Sequence, residues 1–548
     1  MFADAEQRIE AAAHCAQPAK QPAPDLSQPI YDVQSGWCFC ADADPTQWFT
    51  FCDPPRNAPS QINLLAVNAT AVVVNFVTND NGTTSRARVH AELRTAEHGE
   101  STRDFVGFST RYVQPGGSRM ISYHSVALSS LRPRTRYEYR VRVGGRHGGG
   151  LHGPWSAWQG FTSLYATGVT KFAIYADMGA FPNPNSPFLP ATPVQAFGNL
   201  VDDLQRGLID FAVHSGDHAY EFPVLDGSRG DGYMDLYSKF LAHAPWIPGF
   251  GNHEYLEDDR GWRLGNITAG LIHEKRHQPP GGPRPERTNH HHRMHYSVDV
   301  GLVHILQLDL SAWWCRFPGC IQTDACGVPD EWIKNASEMH NPVERYDFPG
   351  LRHSMLDFIR ADLAAVDRAR TPWVIVTSHY PLYETYDPQN EDNLAREARS
   401  ADGVARAWNR RLQLQDAPSQ GGDAFVPSKQ LAIADLEPLL KEFRVDIYMA
   451  GHNHNYETTW PVHGGVVQQK SFHLPRATVH VLSGSAGPPE QDSFQPNPPE
   501  WSRSPRLEEN SYSRITMFDR HTMQFEQVAN DNGTVIDRFV ITRRAEED

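Results

Sequence analysis

The chain has 548 residues, 40% of them hydrophobic, with 13 tryptophans and a formal net charge of −15. A single core stops growing near ~250–300 residues, so more than one domain is expected. The acidic balance argues against a nucleic-acid partner, which needs a basic face, and no apolar stretch reaches the ~18 residues of a membrane span. Residues 1–55 begin Pro/Ala/Gln-rich, with Gln17-Pro-Ala-Lys-Gln-Pro-Ala-Pro24, and read as an extended arm. The start, Met1-Phe-Ala-Asp-Ala-Glu-Gln-Arg8, lacks the basic start and apolar core of a signal peptide. Cys38, Cys40 and Cys52 lie in this arm, Cys15 stands apart, and Cys315, Cys320 and Cys326 form a trio further on. With no Cys-x2-Cys pair, disulfides in an oxidising compartment are favoured over thiolate zinc. Sequons at Asn68, Asn81, Asn266, Asn335 and Asn532 allow glycosylation without demanding it.

Residues 56–165 are predicted to form a small β-sandwich. Ala71-Val-Val-Val-Asn-Phe-Val77 and Arg136-Tyr-Glu-Tyr-Arg-Val-Arg-Val143 have strand composition, with polar turns between. Leu131-Arg-Pro-Arg-Thr-Arg-Tyr137, just before a strand, resembles the tyrosine corner of fibronectin type III-like modules. The segment holds no chemical constellation, so a structural or interface role is its default.

Residues 166–548 carry the chemistry. Lys171–Ala176, Ile209–His214, Trp246–Phe250, Trp373–Thr377 and Val445–Ala450 are short apolar runs that read as buried strands. Each ends in a polar motif: Asp177-Met-Gly179, Gly216-Asp-His-Ala-Tyr220, Gly251-Asn-His-Glu254, Ser378-His379 and Gly451-His-Asn-His454. The carboxyl ends of strands are where open α/β sheets place their ligands. Asp177, Asp217, Tyr220, Asn252, His379, His452 and His454 are seven donors, too many for one ion with an open position. Two ions sharing one carboxylate would use them all. Singly, each residue has a plainer reading as a turn-former or half-buried aromatic; the run of five motifs after five strands is what carries weight. Among the 26 histidines, His214, His243, His304 and His353 sit in apolar stretches and read as core residues. His290, His291, His292 and His295 cluster in a Pro/Gly-rich segment that reads as a solvated or loosely metal-binding loop.

These motifs resemble those of the calcineurin-like metallophosphoesterases, and within them the plant-type purple acid phosphatases. Most of the wider superfamily has histidine where this chain has Gly179, and Tyr220, three residues after Asp217, stands as the replacement. A phenolate is a hard anionic donor suited to a highly charged cation. The resemblance covers roughly residues 170–543, ending in a meander: Ser513–Phe518, Met523–Val528, a turn at Asn530-Asp-Asn-Gly533, then Val535–Val540. It implies an α/β (α+β) metallophosphoesterase sandwich, two β-sheets flanked by helices, preceded by an all-β fibronectin type III-like domain. It further implies an acid phosphatase hydrolysing phosphate monoesters by attack of a metal-bound hydroxide at a dinuclear Fe(III)–M(II) centre, with M zinc, iron or manganese. Asp177, Tyr220 and His454 would hold the ferric ion, Asn252, His379 and His452 the divalent ion, and Asp217 would bridge. A trivalent ion should acidify water below the ~7 seen with zinc, permitting work in acid. His253 would contact the phosphate and the attacking or leaving oxygen as a catalytic imidazole. The family is secreted or vacuolar/lysosomal, which is the compartment implied; a homodimer is one possible oligomeric state. A phosphodiesterase or a nucleotide or pyrophosphate hydrolase on the same scaffold is the alternative, and a non-catalytic metal or adhesion protein is a third, disfavoured by the intact donor set.

The chain departs from the family in one place. Many plant members have one or two further histidines about ten residues after the fourth-motif histidine. Here Tyr380-Pro-Leu-Tyr-Glu-Thr-Tyr-Asp-Pro-Gln389 has none. Tyr383, Glu384 or Tyr386 could replace them as leaving-group donor, as could the insertion-like stretches from Cys315 to about Gly350 and from Asp387 to about Pro427.

Overall fold

The computed structural model describes residues 30–32, 37–40, 50–51, 58–78, 87–96, 101–113, 120–144, 153–179, 193–219, 228–254, 295–310, 313, 348–387, 428–488 and 491–543. Both insertion-like stretches lie almost wholly outside them, as do Tyr220, His290, His291, His292 and every cysteine side chain.

Three short strands, β1 (Ile30–Asp32), β2 (Trp37–Cys40) and β3 (Thr50–Phe51), form a small antiparallel sheet. The sandwich follows with β4 (Ser60–Asn68), β5 (Ala71–Thr78), β6 (Val89–Thr95), β7 (Arg103–Val113), β8 (Met120–Leu128), β9 (Arg136–Val143) and β10 (Gln159–Thr162). The eleven-residue β7 pairs with both β6 and β8, so one strand serves the two faces. Between them lie Leu64, Val74, Phe76, Val89, Val141 and Phe161. The Tyr137 hydroxyl accepts from the Arg132 N–H at 2.9 Å, the return bond of a tyrosine corner.

The remaining elements are β11 (Thr170–Tyr175), α1 (Pro193–Gln205), β12 (Phe211–His214), α2 (Ser228–Leu241), β13 (Trp246–Pro248), β14 (Tyr296–Val300), β15 (Val303–Gln307), α3 (Phe348–Ala364), β16 (Trp373–Thr377), α4 (Ser428–Glu442), β17 (Ile447–Ala450), β18 (Tyr456–Thr459), β19 (Val462–His463), β20 (Val466–Val467), β21 (Val479–Ser483), β22 (Ser502–Leu507), β23 (Ser511–Met517), β24 (Thr522–Ala529) and β25 (Val535–Thr542). Apart from the β19–β20 hairpin, their strands lie in two mixed sheets, one containing the run β13-β12-β11-β23-β24-β25, continued beyond β13 by β4, and one running β14-β15-β16-β17-β21-β18-β22. All five predicted motif-bearing runs are strands, but they divide three to two between the sheets.

Burial on both faces explains why these strands read as continuous apolar runs. On β11, Phe172 and Ile174 point into the core between the sheets, while Ala173 and Tyr175 point to the core under α1 and α2. On β16, Trp373 and Ile375 join the inter-sheet core, and Val374 and Val376 pack under α3 and α4. The period-two alternation of a strand thus feeds a helix–sheet–sheet–helix stack. Three of the histidines read as core behave so: His214 is buried, His304 lies between two carboxylates, and half-buried His243 bonds the Gly160 carbonyl at 2.7 Å. His353 corrects that reading, since it lies on the exposed face of α3. His295 corrects the solvated-loop reading: it is buried just before β14, where its Nδ1 accepts the Asp309 N–H at 3.0 Å.

Candidate metal centre

The carboxyl ends of β11, β12 and β13 meet those of β16 and β17 where the two sheets come together. The Ser215 and Thr377 hydroxyls hydrogen-bond across this seam at 2.5 Å, and the Asp177 N–H donates to the Gly216 carbonyl at 3.1 Å. The loops leave the strands abruptly. Asp177, Asp217 and His452 have φ of 57°, 54° and 76°, a left-handed backbone that non-glycine residues seldom adopt. Such outliers gather at functional sites. Glycine makes the approach possible: a Cβ on Gly451 would lie 2.4 Å from Asp177 Oδ2, and one on Gly251 would lie 2.1 Å from Asp217 Oδ1.

Asp177, Asp217, His379 and His253 are at most 3% exposed, and His452 and His454 are half-buried. His379 Nδ1 donates to the Ser215 carbonyl at 3.2 Å. Its Nε2 therefore faces inward, 3.2 Å from Asp217 Oδ2 and 3.3 Å from His452 Nδ1. His454 Nε2 lies 3.7 Å from Asp177 Oδ1, and the His452 N–H donates to Asp177 Oδ2 at 2.7 Å. One ligand atom from each of Asp177, Asp217 and His379 lies within 4.8 Å of the others. Of the seven predicted donors, five side chains therefore converge. Tyr220 lies outside the described residues; Asn252 opens the short turn Asn252–Glu254 by its backbone, and its side chain is not described.

Electrostatics shows whether these residues fit cations. Burial pushes the Asp177 carboxyl well above its usual range, against the pull of His379 and with the push of Asp217. Burial acts the same way on Asp217, but the imidazoles of His379 and His253 hold it well below the usual carboxylate range. Two like charges sealed from water at this distance cannot both stay ionised unaided. Bound cations would invert that logic by favouring the ionised form of both carboxylates, with the ring nitrogens of His379, His452 and His454 as further donors. The donor set fits them.

His253 differs from the others. Its N–H donates to Asp217 Oδ1 at 3.0 Å, and its Nε2 lies 3.8 Å from Asp217 Oδ2, at the rim of the cluster. The proposed leaving-group donors separate. Tyr383 is buried, bonded to Glu437 and to the Gly465 N–H, with its ring against His480 and Trp501. Glu384 pairs with Lys429 at 2.6 Å. Tyr386 is half-buried in a segment bridged to Phe494. Asp492 carries no motif: its carboxylate accepts the His454 N–H at 2.7 Å, and its own N–H bonds the His454 carbonyl at 3.0 Å. It is 38 residues downstream of the histidine it holds, and no periodicity or spacing points to it.

The family profile described as "Calcineurin-like phosphoesterase" matches residues 170–456, slightly more than half of the chain. This chain belongs to that family. "Purple acid Phosphatase, N-terminal domain" matches residues 59–163 and "Iron/zinc purple acid phosphatase-like protein C" matches 477–538, which places it among the purple acid phosphatases. "Acid phosphatase type 7" of Danio rerio is 26% identical over 80% of this chain and 81% of its own length. The human protein of that name is 25% identical over 78% of each chain. The structure of purple acid phosphatase PPD1 from yellow lupin superposes with a TM-score of 0.63 over 91% of this chain and 76% of that one, at 20% identity, and so shares the fold. The enzyme is a phosphatase, acting on phosphoesters, in a family built around a dinuclear metal centre.

Proposed function

We propose that this enzyme hydrolyses phosphate monoesters in acid at a mixed Fe(III)–M(II) centre. Asp177, Tyr220 and His454 would hold the ferric ion, Asn252, His379 and His452 the divalent one, and Asp217 would serve both. The observation that carries this reading is the gathering of two buried carboxylates and three imidazoles into one contiguous cluster. When bound, the two cations neutralise phosphate oxygens, align in-line attack and acidify the attacking water.

The protein residues do the rest. His253, held against Asp217 by its backbone N–H, is placed to hydrogen-bond the phosphate and pass a proton to the leaving oxygen. Ser215 sets the tautomer of His379 through its carbonyl, and Asp492 anchors the loop bearing His454, as orienting partners of metal ligands do.

The test is metal analysis and the visible spectrum of the purified enzyme, with hydrolysis of a monoester and a diester measured between about pH 4 and 8. We expect one iron and one divalent ion per chain, a tyrosinate charge-transfer band and monoester preference in acid. Tyr220→Phe should lose the band and keep the fold. Stoichiometric ferric iron with no visible band would overturn the Tyr220 assignment; diester preference would overturn the substrate class.

A further inference from the structure

Glu254 ends the third motif, is 1% exposed, and has no part in the proposed ligand set. Its carboxylate accepts three backbone N–H groups and faces one imidazole nitrogen. Oε2 accepts the N–H of Gly251 at 2.7 Å and of Asp217 at 2.8 Å. Oε1 accepts the N–H of His218 at 2.9 Å and faces His218 Nδ1 at 3.1 Å. One oxygen is therefore bonded both to the residue bearing the proposed bridging carboxylate and to the residue preceding the proposed amide ligand.

The location makes this consequential. The parallel pairing of β12 with β13 runs out at His214 and Pro248, and the Gly249 N–H to His214 carbonyl bond, 2.6 Å, continues it by one step. Beyond that point the loops 215–218 and 251–254 have no sheet ladder between them. They nonetheless pack backbone to backbone, since a Cβ on Gly216 would lie 2.4 Å from the Gly251 nitrogen. The Glu254 carboxylate supplies the missing cross-link. His218 fixes that carboxylate from behind, its ring 3.9 Å from that of His214 and 5.6 Å from those of Tyr233 and Trp246.

We propose that Glu254, backed by His218, is a positioning residue that sets the separation between Asp217 and Asn252 and thereby the grip on the divalent ion. This rests on the reading of those two residues as ligands. A glutamine cannot do the same work: its amide would turn a donor toward N–H groups that already donate, leaving one acceptor oxygen where two are needed.

The test compares wild type with Glu254→Gln and Glu254→Asp. Metal content is measured after dialysis, iron-loaded protein is titrated with zinc alone, and thermal unfolding is followed on metal-stripped samples. We expect Glu254→Gln to keep its iron, to bind zinc about 10–100-fold more weakly, and to recover kcat at saturating zinc. Glu254→Asp, which keeps the charge, should recover part of the affinity. Should Glu254→Gln not fold, His218→Gln, which leaves all three backbone donors on the carboxylate, should show a smaller weakening in the same direction. Wild-type zinc affinity in Glu254→Gln, or equal loss of both ions together with a lowered unfolding midpoint of the metal-stripped protein, overturns the inference. Wild type that binds fewer than two ions would instead sink the dinuclear reading beneath it.

Discussion

Asp177, Asp217 and His452 each hold a left-handed backbone, at a cost of about 1 kcal/mol or more apiece. The surroundings over-determine these conformations: the Asp177 N–H bonds Gly216, the Met178 N–H bonds the Asp217 carbonyl, and the Gly451 N–H bonds the His379 carbonyl. Gly451→Ala tests how tight the arrangement is, because the new methyl would meet Ala176 Cβ at 2.3 Å and Asp177 Oδ2 at 2.4 Å. Metal affinity should fall about 10–100-fold, read by elemental analysis after dialysis, while circular dichroism stays unchanged. Full metal occupancy would mean the carboxylate can move aside freely. His253→Ala should slow turnover about 10²–10⁴-fold with metal content near wild type. The loss should be greater for an alkyl phosphate, whose leaving oxygen needs a proton, than for nitrophenyl phosphate. Equal losses would confine His253 to phosphate binding and leave protonation to Tyr386, an inserted loop or water, since Tyr383 and Glu384 are already engaged elsewhere.

At the scale of elements, His304 ties three together. On β15, its Nδ1 lies 2.8 Å from Asp299 of β14 and its Nε2 lies 2.9 Å from Asp362 of α3. Both ring nitrogens face carboxylates, so the imidazolium is the form that satisfies them. Burial works against that charge, but the two aspartates outweigh it and push the pKa up to about 9. A folded pKa above the unfolded ~6.5 means the stabilisation is complete below that pH and is lost as pH rises through 9. His304→Gln should therefore cost on the order of 2–3 kcal/mol at pH 6, measured by urea unfolding, and much less at pH 9.5. A pH-independent difference would show that the ring is neutral in the folded protein. The strand at Trp373–Thr377 and the apolar stretch around His304 were legible in advance, yet nothing local pairs His304 with Asp362, because the clamp spans 58 residues of chain.

At the scale of the whole molecule, the sandwich does not hang from the catalytic unit by a linker. Sheet pairing crosses between them at Leu65 and Trp246, so β4 extends the sheet that carries Asp177 and Asp217. Gln61 bonds Asp231 at 3.0 Å, the Tyr139 hydroxyl bonds the Ala242 carbonyl at 2.9 Å, and Arg134 pairs with Asp210 at 2.6 Å. Removing residues 59–163 should bare the edge of β13 and the flank of α2, lowering the unfolding midpoint and promoting association through that edge. An excised catalytic unit that stays monomeric with an unchanged midpoint, by calorimetry and light scattering, would refute this coupling. The sequence by itself determined the motif-bearing strands, the terminal meander, the tyrosine corner and the chemistry of the donors, because side-chain period, turn glycines and metal-ligand types are local properties. Only the tertiary structure decided that the five motifs come from two sheets meeting end to end, that His353 faces solvent, and that Glu254 and Asp492 hold the ligand loops. Those are outcomes of packing between segments remote in sequence, and a buried carboxylate that collects backbone N–H groups leaves no periodic mark on the chain.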